Sequence, residues 1–566
     1  MHPHSLQVLR HTLLCGPHSV ATRLLRSTKS GLPPAPRSTA QSRATARPRM
    51  ASSVKAADAI ELTELETQIF ETLLMSTKKA GLDTTLRCAG GWVRDKLLGK
   101  GSDDIDIALD NLMGRQFAEK VNEYLNAAGH ETHSIGVIQC NPDQSKHLET
   151  ARMKVCGVWL DLVNLRSETY AEGSRIPEMQ FGSPEQDALR RDFTINSMFY
   201  NINTGMLEDL TQRGMQDLRD GIIRTPLEPL ETFTDDPLRV LRAVRFASRF
   251  GFELDGALIT AASSNKVRNE LAAKVSRERV GTELDGMFHG PDPVAAARLL
   301  YQLRLFPVVF QPPQPQLELL GSNFGEPCLA TMSAAATILD SPDCKVQLHG
   351  DAKRLCLFAS LLLPLRDIEV PKGAVKGVKQ PTSLPAFLLR ESLKRKNKDG
   401  DAVTSLHKEC RELLRIWKEH TGAADIPPAS RTALGNAVRR LKELWEVGVV
   451  LAPLLEMEEA APLGVDSTGS VGGAAAAPGP PTQGMAAAEA HTECVNWLRG
   501  IVYACKLDKA YSIKPMLDGK AVMAELGIQS GGPQLGKAME KVMDWQLAYP
   551  DGTLEECKAM LRSETE

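Results

Sequence analysis

From residue 61 to 80, apolar residues recur at helical spacing, which predicts an amphipathic helix stopped by Gly81. A short apolar run at 86–89 follows, then Gly90-Gly91, then a helical stretch at 92–98 that ends at Gly99. Ile105, Ile107 and Leu109 alternate with polar residues and predict a half-buried strand. A helix is expected at 115–128 and strands at 133–140, 146–155 and 158–163. Beyond about residue 221 the pattern is helical almost throughout, with no repeat of fixed period. A mixed α/β head followed by helices predicts an α+β fold, not a doubly wound sheet. Two stretches interrupt the helices. Residues 370–383, rich in Pro, Gly and Lys, predict a loop, and the Ala/Gly/Pro/Ser-rich 457–490 predicts a disordered insertion or linker.

Composition narrows the class. The 566 residues suffice for two or more domains, and 42% hydrophobic with 24% charged residues is the balance of a soluble globular protein. A net charge of −3 means that a nucleic-acid partner needs a local basic patch. The eleven cysteines form no Cys-x-x-Cys pair, which argues against structural zinc and a disulfide framework and fits a reducing compartment. No apolar run is long enough to predict a membrane span. Residues 1–57 contain no Asp or Glu, whereas arginines recur from Arg10 to Arg49 among Ser, Thr, Ala and Pro. That is the composition of an organellar transit peptide, mitochondrial or plastid; a disordered basic tail that touches nucleic acid is the alternative. A second start at Met50 would yield an untargeted cytosolic or nuclear form.

Asp104 and Asp106 stand two apart on the strand of Ile105 and Ile107. Such positions share a face roughly 7 Å apart, so both carboxylates can hold divalent metal. Hard oxygen ligands suit Mg²⁺, which binds through a few carboxylates plus substrate phosphates. Upstream, Gly90-Gly91-Trp92-Val93-Arg94 joins a strand to a helix and points backbone N–H groups at an anion, with Arg94 in the first turn. Together they suggest a triphosphate cradle beside a metal site.

Asp161, on the strand at 158–163, is a candidate third carboxylate that helps deprotonate an attacking hydroxyl; a polar residue on a sheet face is the alternative. Arg190 and Arg191 are adjacent, so one is expected to pair with Asp192 and the other to meet a ligand, with Asn196 on the face of Asp192. In Thr234-Asp235-Asp236-Pro237-Leu238-Arg239, followed by Arg242 and Arg245, charges recur every three residues and form a polar stripe opposite Leu238, Leu241 and Val244. A capped helix with a solvated basic face would look the same. An acceptor (Asp236) beside a donor (Arg239) also matches the edges of cytosine and adenine and leaves guanine and uracil unpaired.

These motifs, together with Arg190-Arg191-Asp192-Phe193-Thr194-Ile195-Asn196 and Ser276-Arg277-Glu278-Arg279-Val280-Gly281-Thr282-Glu283, resemble the class II CCA-adding tRNA nucleotidyltransferases, the eukaryotic branch above all. Bacterial-type poly(A) polymerases share most of them. The resemblance is strong over 60–310 and returns near 385–400 and 495–560. It implies a polymerase-β-like head at 58–220, a helical neck at 221–310, a body at 311–456, an insertion at 457–490 and a tRNA-binding tail at 491–566, after a leader at 1–57. It implies Mg²⁺ ions at Asp104 and Asp106 in a two-metal mechanism, and tRNA, CTP and ATP as substrates. By the same resemblance Gly91 and Arg94 hold the triphosphate. Arg190 or Arg191 contacts the nucleotide, supported by Asp192 and Asn196. Asp236 and Arg239 read the base, and Arg242 and Arg245 extend the pocket. Glu278, Arg279 and Glu283 fall on a structural helix, and 170–181 on a flexible loop that switches C to A. The basic run at 390–398 either neutralises RNA phosphates or is a solvated helix face. An organellar poly(A) polymerase and a non-catalytic RNA-binding protein on the same scaffold are the alternatives. The oligomeric state is not fixed by these features. If Met50 is a second start, N-terminal sequencing of organellar and cytosolic fractions will find two different N-termini; one shared start refutes it.

Overall fold

A computed structural model describes residues 56–102, 104–138, 150–170, 177–375, 378–459 and 481–563. The expected leader therefore lies outside the described residues, as do the tip of the 170–181 loop and most of the 457–490 insertion.

The first helix, α1 (Glu64–Lys79), begins with a capping box: Glu66 N–H donates to Thr63 Oγ1 at 3.2 Å, and Thr63 N–H donates to the Glu66 carboxylate at 2.8 Å. Glu66 has a second use. It accepts from Trp92 Nε1 at 3.0 Å and from Lys96 Nζ at 2.8 Å, so the cap of α1 fixes α2 (Gly91–Leu97), the helix after the glycine pair. Two further head helices are α3 (Gly114–Ala127) and α4 (Pro184–Leu189).

The strands are β1 (Leu86–Ala89), β2 (Ile105–Leu109), β3 (Gly136–Ile138), β4 (Thr150–Val155), β5 (Val158–Asn164), β6 (Arg166–Tyr170), β7 (Pro177–Phe181), β8 (Phe199–Asn201) and β9 (Met206–Glu208). Seven of them form one sheet in the order β3-β4-β5-β2-β1-β8-β9, while β6 and β7 make a separate hairpin. β2 and β5 run parallel and the other neighbours antiparallel, so the sheet is mixed. Leu86, Cys88, Ile105, Ile107, Leu160 and Leu162 are buried on one face with Ile69 and Leu73 of α1 and Phe117 of α3. By the alternation of strands, Asp106, Asp161 and Arg152 take the other face. Their register is set by a two-residue turn, Cys156-Gly157, with both φ positive (50° and 83°), the geometry whose twist suits a tight hairpin.

After the sheet come α5 (Gly214–Asp220), α6 (Pro229–Asp235), α7 (Leu238–Phe250), α8 (Gly256–Ala262), α9 (Asn265–Lys274) and α10 (Arg277–Phe288). Helices continue through the remaining described residues, so the expected α+β class holds. Among the described residues, no helix is long and apolar enough to cross a membrane.

Several local expectations need correction. Residues 133–135 precede β3 and are not strand, and the expected strand positions at 139–140 and 146–149 lie outside the described residues. The flanks of the 170–181 loop are the paired strands β6 and β7, not loop. Inside 370–383, Glu369–Val370 pairs with Thr382–Ser383. A helix, Pro481–Ala504, begins within the expected linker, because an alanine-rich segment has high helix propensity and Val495, Leu498 and Val502 anchor it in the core. In the basic run at 390–398, Arg390 pairs with Asp401, Lys394 with Glu391 and Arg395 with Asp285, so much of its charge is used within the chain.

The segment 276–283 ties α10 to the chain near residues 308 and 392. Arg277 donates to the carbonyls of Ser392 (2.6 Å), Val308 (2.9 Å) and Val309. Gly281 lies so close to the Leu393 carbonyl that an added Cβ would be 1.8 Å from its oxygen. Gly281→Ala should lower stability by about 1–3 kcal/mol or more, read from the denaturant midpoint. Gly500→Ala, on the exposed side of a helix with nothing near it, should raise stability by about 1 kcal/mol.

Candidate active site

β1 delivers the chain to Gly90, whose φ of +67° favours glycine and whose added Cβ would meet Arg191 Nη1 at 2.8 Å. Beyond it, Arg94 is buried. Its Nε and Nη2 donate to the Asp95 carboxylate at 2.9 Å each, and Nη1 donates to Asn196 Oδ1 at 2.5 Å. The rings of Phe246 and Phe250 lie 5.2 and 4.9 Å from its guanidinium. Burial lowers its pKa, and Asp95 opposes that shift.

Asp192 is also buried. Its Oδ1 accepts from Asn196 Nδ2 at 3.0 Å and from Phe193 N–H at 2.8 Å, and its Oδ2 accepts from Arg242 Nε at 2.7 Å. Burial pushes its pKa up, but Arg242 and Asn196 outweigh it and hold the carboxyl below the usual range. A continuous row therefore runs Asp95, Arg94, Asn196, Asp192, Arg242, from α2 to α7.

Arg190 and Arg191 do not divide as expected. Both pair with Asp187 on α4: Arg190 Nε at 2.8 Å, Arg191 Nε at 3.0 Å and Nη2 at 2.7 Å. Asp187 is 1% exposed; burial raises its pKa, but Arg191 and Arg190 keep the carboxyl below the usual range. Arg190 Nη1 also donates to Glu168 at 2.7 Å. Asp192 is left to Arg242. The positions three and four after Asp187 both reach back to it along one helical face, a relation that the adjacency of the arginines concealed.

At the start of α7, Asp236 and Arg239 are held separately rather than by each other. Asp236 Oδ1 accepts from Leu238 N–H at 3.3 Å and Oδ2 from Arg279 Nη2 at 3.2 Å. Arg239 Nη2 donates to the Arg190 carbonyl at 2.7 Å. Arg245 pairs with Glu283 at 2.7 Å. Glu283 thus serves a supporting role, as expected, but Arg279 reaches the cavity itself.

A cavity of about 640 Å³ gathers these groups. Gly91, Arg94, Asp104, Asp106, Arg190, Arg191, Asp192, Asn196, Asp236, Arg239, Arg242 and Arg245 all line it. Asp161 does not. It stands across the ladder from Asp106 with an ion pair to Arg152 at 3.3 Å. Arg166, Glu168, Arg249 and Arg279 line the cavity without having been selected from the sequence. Arg279 carried a signal in its motif; Arg166 and Glu168 lie on β6, just before the expected 170–181 loop.

Asp104 and Asp106 face the cavity, and no cation among the described residues forms an ion pair with either. Burial, then the charge of Asp104, raises the pKa of Asp106 to about 6, with Arg191 partly opposing. Such uncompensated charge fits a divalent cation that keeps water and borrows substrate phosphate as ligand. Among the described residues there is no cluster of three or more His, Cys, Asp or Glu that would form an all-protein cage. The folded state holds the Asp106 proton more tightly than the unfolded state, whose value is near 3.8. The resulting penalty is absent below pH 3.8, grows between the two values and is complete above pH 6. Asp106→Asn should therefore melt higher than the metal-free parent at pH 7.5, with the gap closing towards pH 4. Added Mg²⁺ should raise the parent's melting temperature and leave the variant's almost unchanged.

Residues 86–224 match the family described as Poly A polymerase head domain, and 252–319 the one described as a probable RNA and SrmB-binding site of polymerase A. A tRNA nucleotidyltransferase of Schizosaccharomyces pombe is 34% identical, over 84% of this chain and 92% of its own. The mitochondrial CCA tRNA nucleotidyltransferase of Saccharomyces cerevisiae is 33% identical, over 85% and 88%. A Thermotoga maritima CCA-adding enzyme solved in complex with tRNA has the same fold, with a TM-score of 0.55 at 18% identity over 89% of this chain and 97% of that one. With relatives of this identity along most of its length, the chain belongs to the tRNA nucleotidyltransferase and poly(A) polymerase family.

Proposed function

We propose that this protein adds C, C and A in turn to the 3′ end of tRNA, from CTP and ATP, without a nucleic-acid template. The observation that carries the reading is the single cavity in which an acidic strand pair meets the arginines of α7. A relative named as a CCA tRNA nucleotidyltransferase, matched over 88% of its length, supports it, as does one named more broadly as a tRNA nucleotidyltransferase.

Asp104 and Asp106 are assigned to Mg²⁺. When bound there, the metal lowers the pKa of the RNA 3′-hydroxyl and neutralises charge on the triphosphate and the leaving pyrophosphate. Asp161, next to Asp106 on the ladder and with its pKa raised first by burial, is assigned to draw the proton from that hydroxyl. Arg94 and the glycine turn orient the triphosphate, and Arg190 and Arg191 add positive charge. Asp236 offers an acceptor and Arg239 donors to the base edge. Because each is anchored by its own partner, neither can turn to suit a guanine or uracil, which would leave buried polar groups unpaired. The tail is assigned to the body of the tRNA. The arginine-rich, acid-free leader, together with a relative named as mitochondrial, supports a mitochondrial form.

The decisive test is extension of a tRNA transcript lacking its last three nucleotides, with Mg²⁺ and all four nucleoside triphosphates. The 3′ ends should stop at C-C-A, and Asp104→Ala should slow extension by at least about a hundredfold. Long A tracts would assign the protein to poly(A) addition instead. Asp236→Ala should raise incorporation of U and G relative to C and A by roughly tenfold or more.

A further inference from the structure

The acidic face of the sheet continues past Asp106 onto β5 and β4. Arg152 is opposite Asp161 and Lys154 is opposite Trp159. Trp159 precedes Asp161 by two residues and so shares its face. Since Ile105 is opposite Leu160 in the parallel ladder, Trp159 stands beside Asp104. Trp159 is 42% exposed, whereas Trp92, Phe117, Phe193 and Phe199 of the head are at most 1% exposed, so the core does not need this ring. The Arg152 guanidinium lies 5.3 Å from its centroid and the Lys154 ammonium 5.4 Å. None of the three lines the cavity.

We propose that Trp159, flanked by Arg152 and Lys154, is the platform for the unpaired 3′ end of the acceptor RNA: a terminal base stacks on the indole and the two cations meet its phosphates. This rests on the reaction proposed above and assigns its acceptor side. Two substrates must meet at Asp104 and Asp106. The cavity on the α7 side, with its edge-reading Asp236 and Arg239, suits the incoming nucleotide, so the 3′-hydroxyl arrives from the other side, where β5 and β4 lie. The platform's chemistry fits that substrate. The last base of the acceptor differs among the three additions, so it must be held without being read. Stacking on an aromatic ring does this, because every base has a π-face, and exposed cations follow the backbone. Flexible cations that rest on the ring in the free protein can turn to phosphate when a base replaces them.

The test uses a tRNA transcript lacking its last three nucleotides, with 2-aminopurine as its terminal base. Binding to the parent should quench the 2-aminopurine fluorescence, and Trp159→Ala should largely remove the quench. In steady state, Trp159→Ala should raise the KM for the acceptor roughly tenfold, with KM for CTP and kcat at saturating acceptor within about twofold of the parent. Trp159→Phe should restore most of the acceptor KM, which a mere folding defect in the alanine variant would not predict. Lys154→Ala should weaken acceptor binding and reduce its salt dependence. An unchanged quench and acceptor KM in Trp159→Ala would overturn the platform, as would a rise in the KM for CTP instead. If the parent fails to extend tRNA at all, the reaction proposed above fails; the fluorescence titration needs no turnover and still decides on the platform.

Discussion

Like charges cannot crowd one cavity unless counter-charges hold them, and this constraint organises the head and neck. Nine arginines line the cavity against five carboxylates, an excess that suits a polyanionic ligand. Without that ligand they would repel, and the backbone that carries them would be pushed apart. The carboxylates that prevent this are mostly behind the wall: Asp187 behind Arg190 and Arg191, Asp95 behind Arg94, Glu283 behind Arg245. Each is buried, so each pairing is strong enough to fix a long side chain in one rotamer. Strand, glycine turn and helix are thereby assembled around electrostatics as much as around apolar packing.

The opposite treatment of Asp104 and Asp106 follows from the same principle. Here the described residues supply carboxylates with no direct ion-pair partner, and the nearby arginines offset their charge only in part. The charge is left for a ligand to neutralise, at some cost to the stability of the empty fold. A site that is satisfied on its arginine side and unsatisfied on its acidic side has a built-in polarity. It distinguishes an end suited to an anion from an end suited to a cation.

Much of this was legible in the sequence, and for local reasons. Alternation around Asp104 and Asp106, the glycine pair and the three-residue arginine period are all short-range patterns tied to strand, turn and helix geometry. They identified eight residues that line one cavity, and the 187–196 segment, a weaker signal by itself, added Arg190, Arg191, Asp192 and Asn196. Partnerships across the chain were not legible. Asp192 binds Arg242, fifty positions away, and not the adjacent arginine; Asp236 binds Arg279, forty-three positions away. Arg279 was consequently assigned to scaffolding. Strand β7 was hidden by the loop that the resemblance places at 170–181, since the alternation that reveals a strand requires one buried face. The start of the helix at Pro481–Ala504, up to residue 490, was missed because alanine there signals helix by propensity alone, and the large apolar residues that mark its core face come later.

The row from Asp95 through Arg94, Asn196 and Asp192 to Arg242 has a consequence for how such a protein changes over generations. Arg94, Asn196 and Asp192 each engage a partner on both sides, so replacing any one strands buried groups on its neighbours. The row cannot drift by single steps. It persists whole or is exchanged as a block, which ties the descent of the glycine turn to that of α7 although the two are about 150 residues apart in the chain.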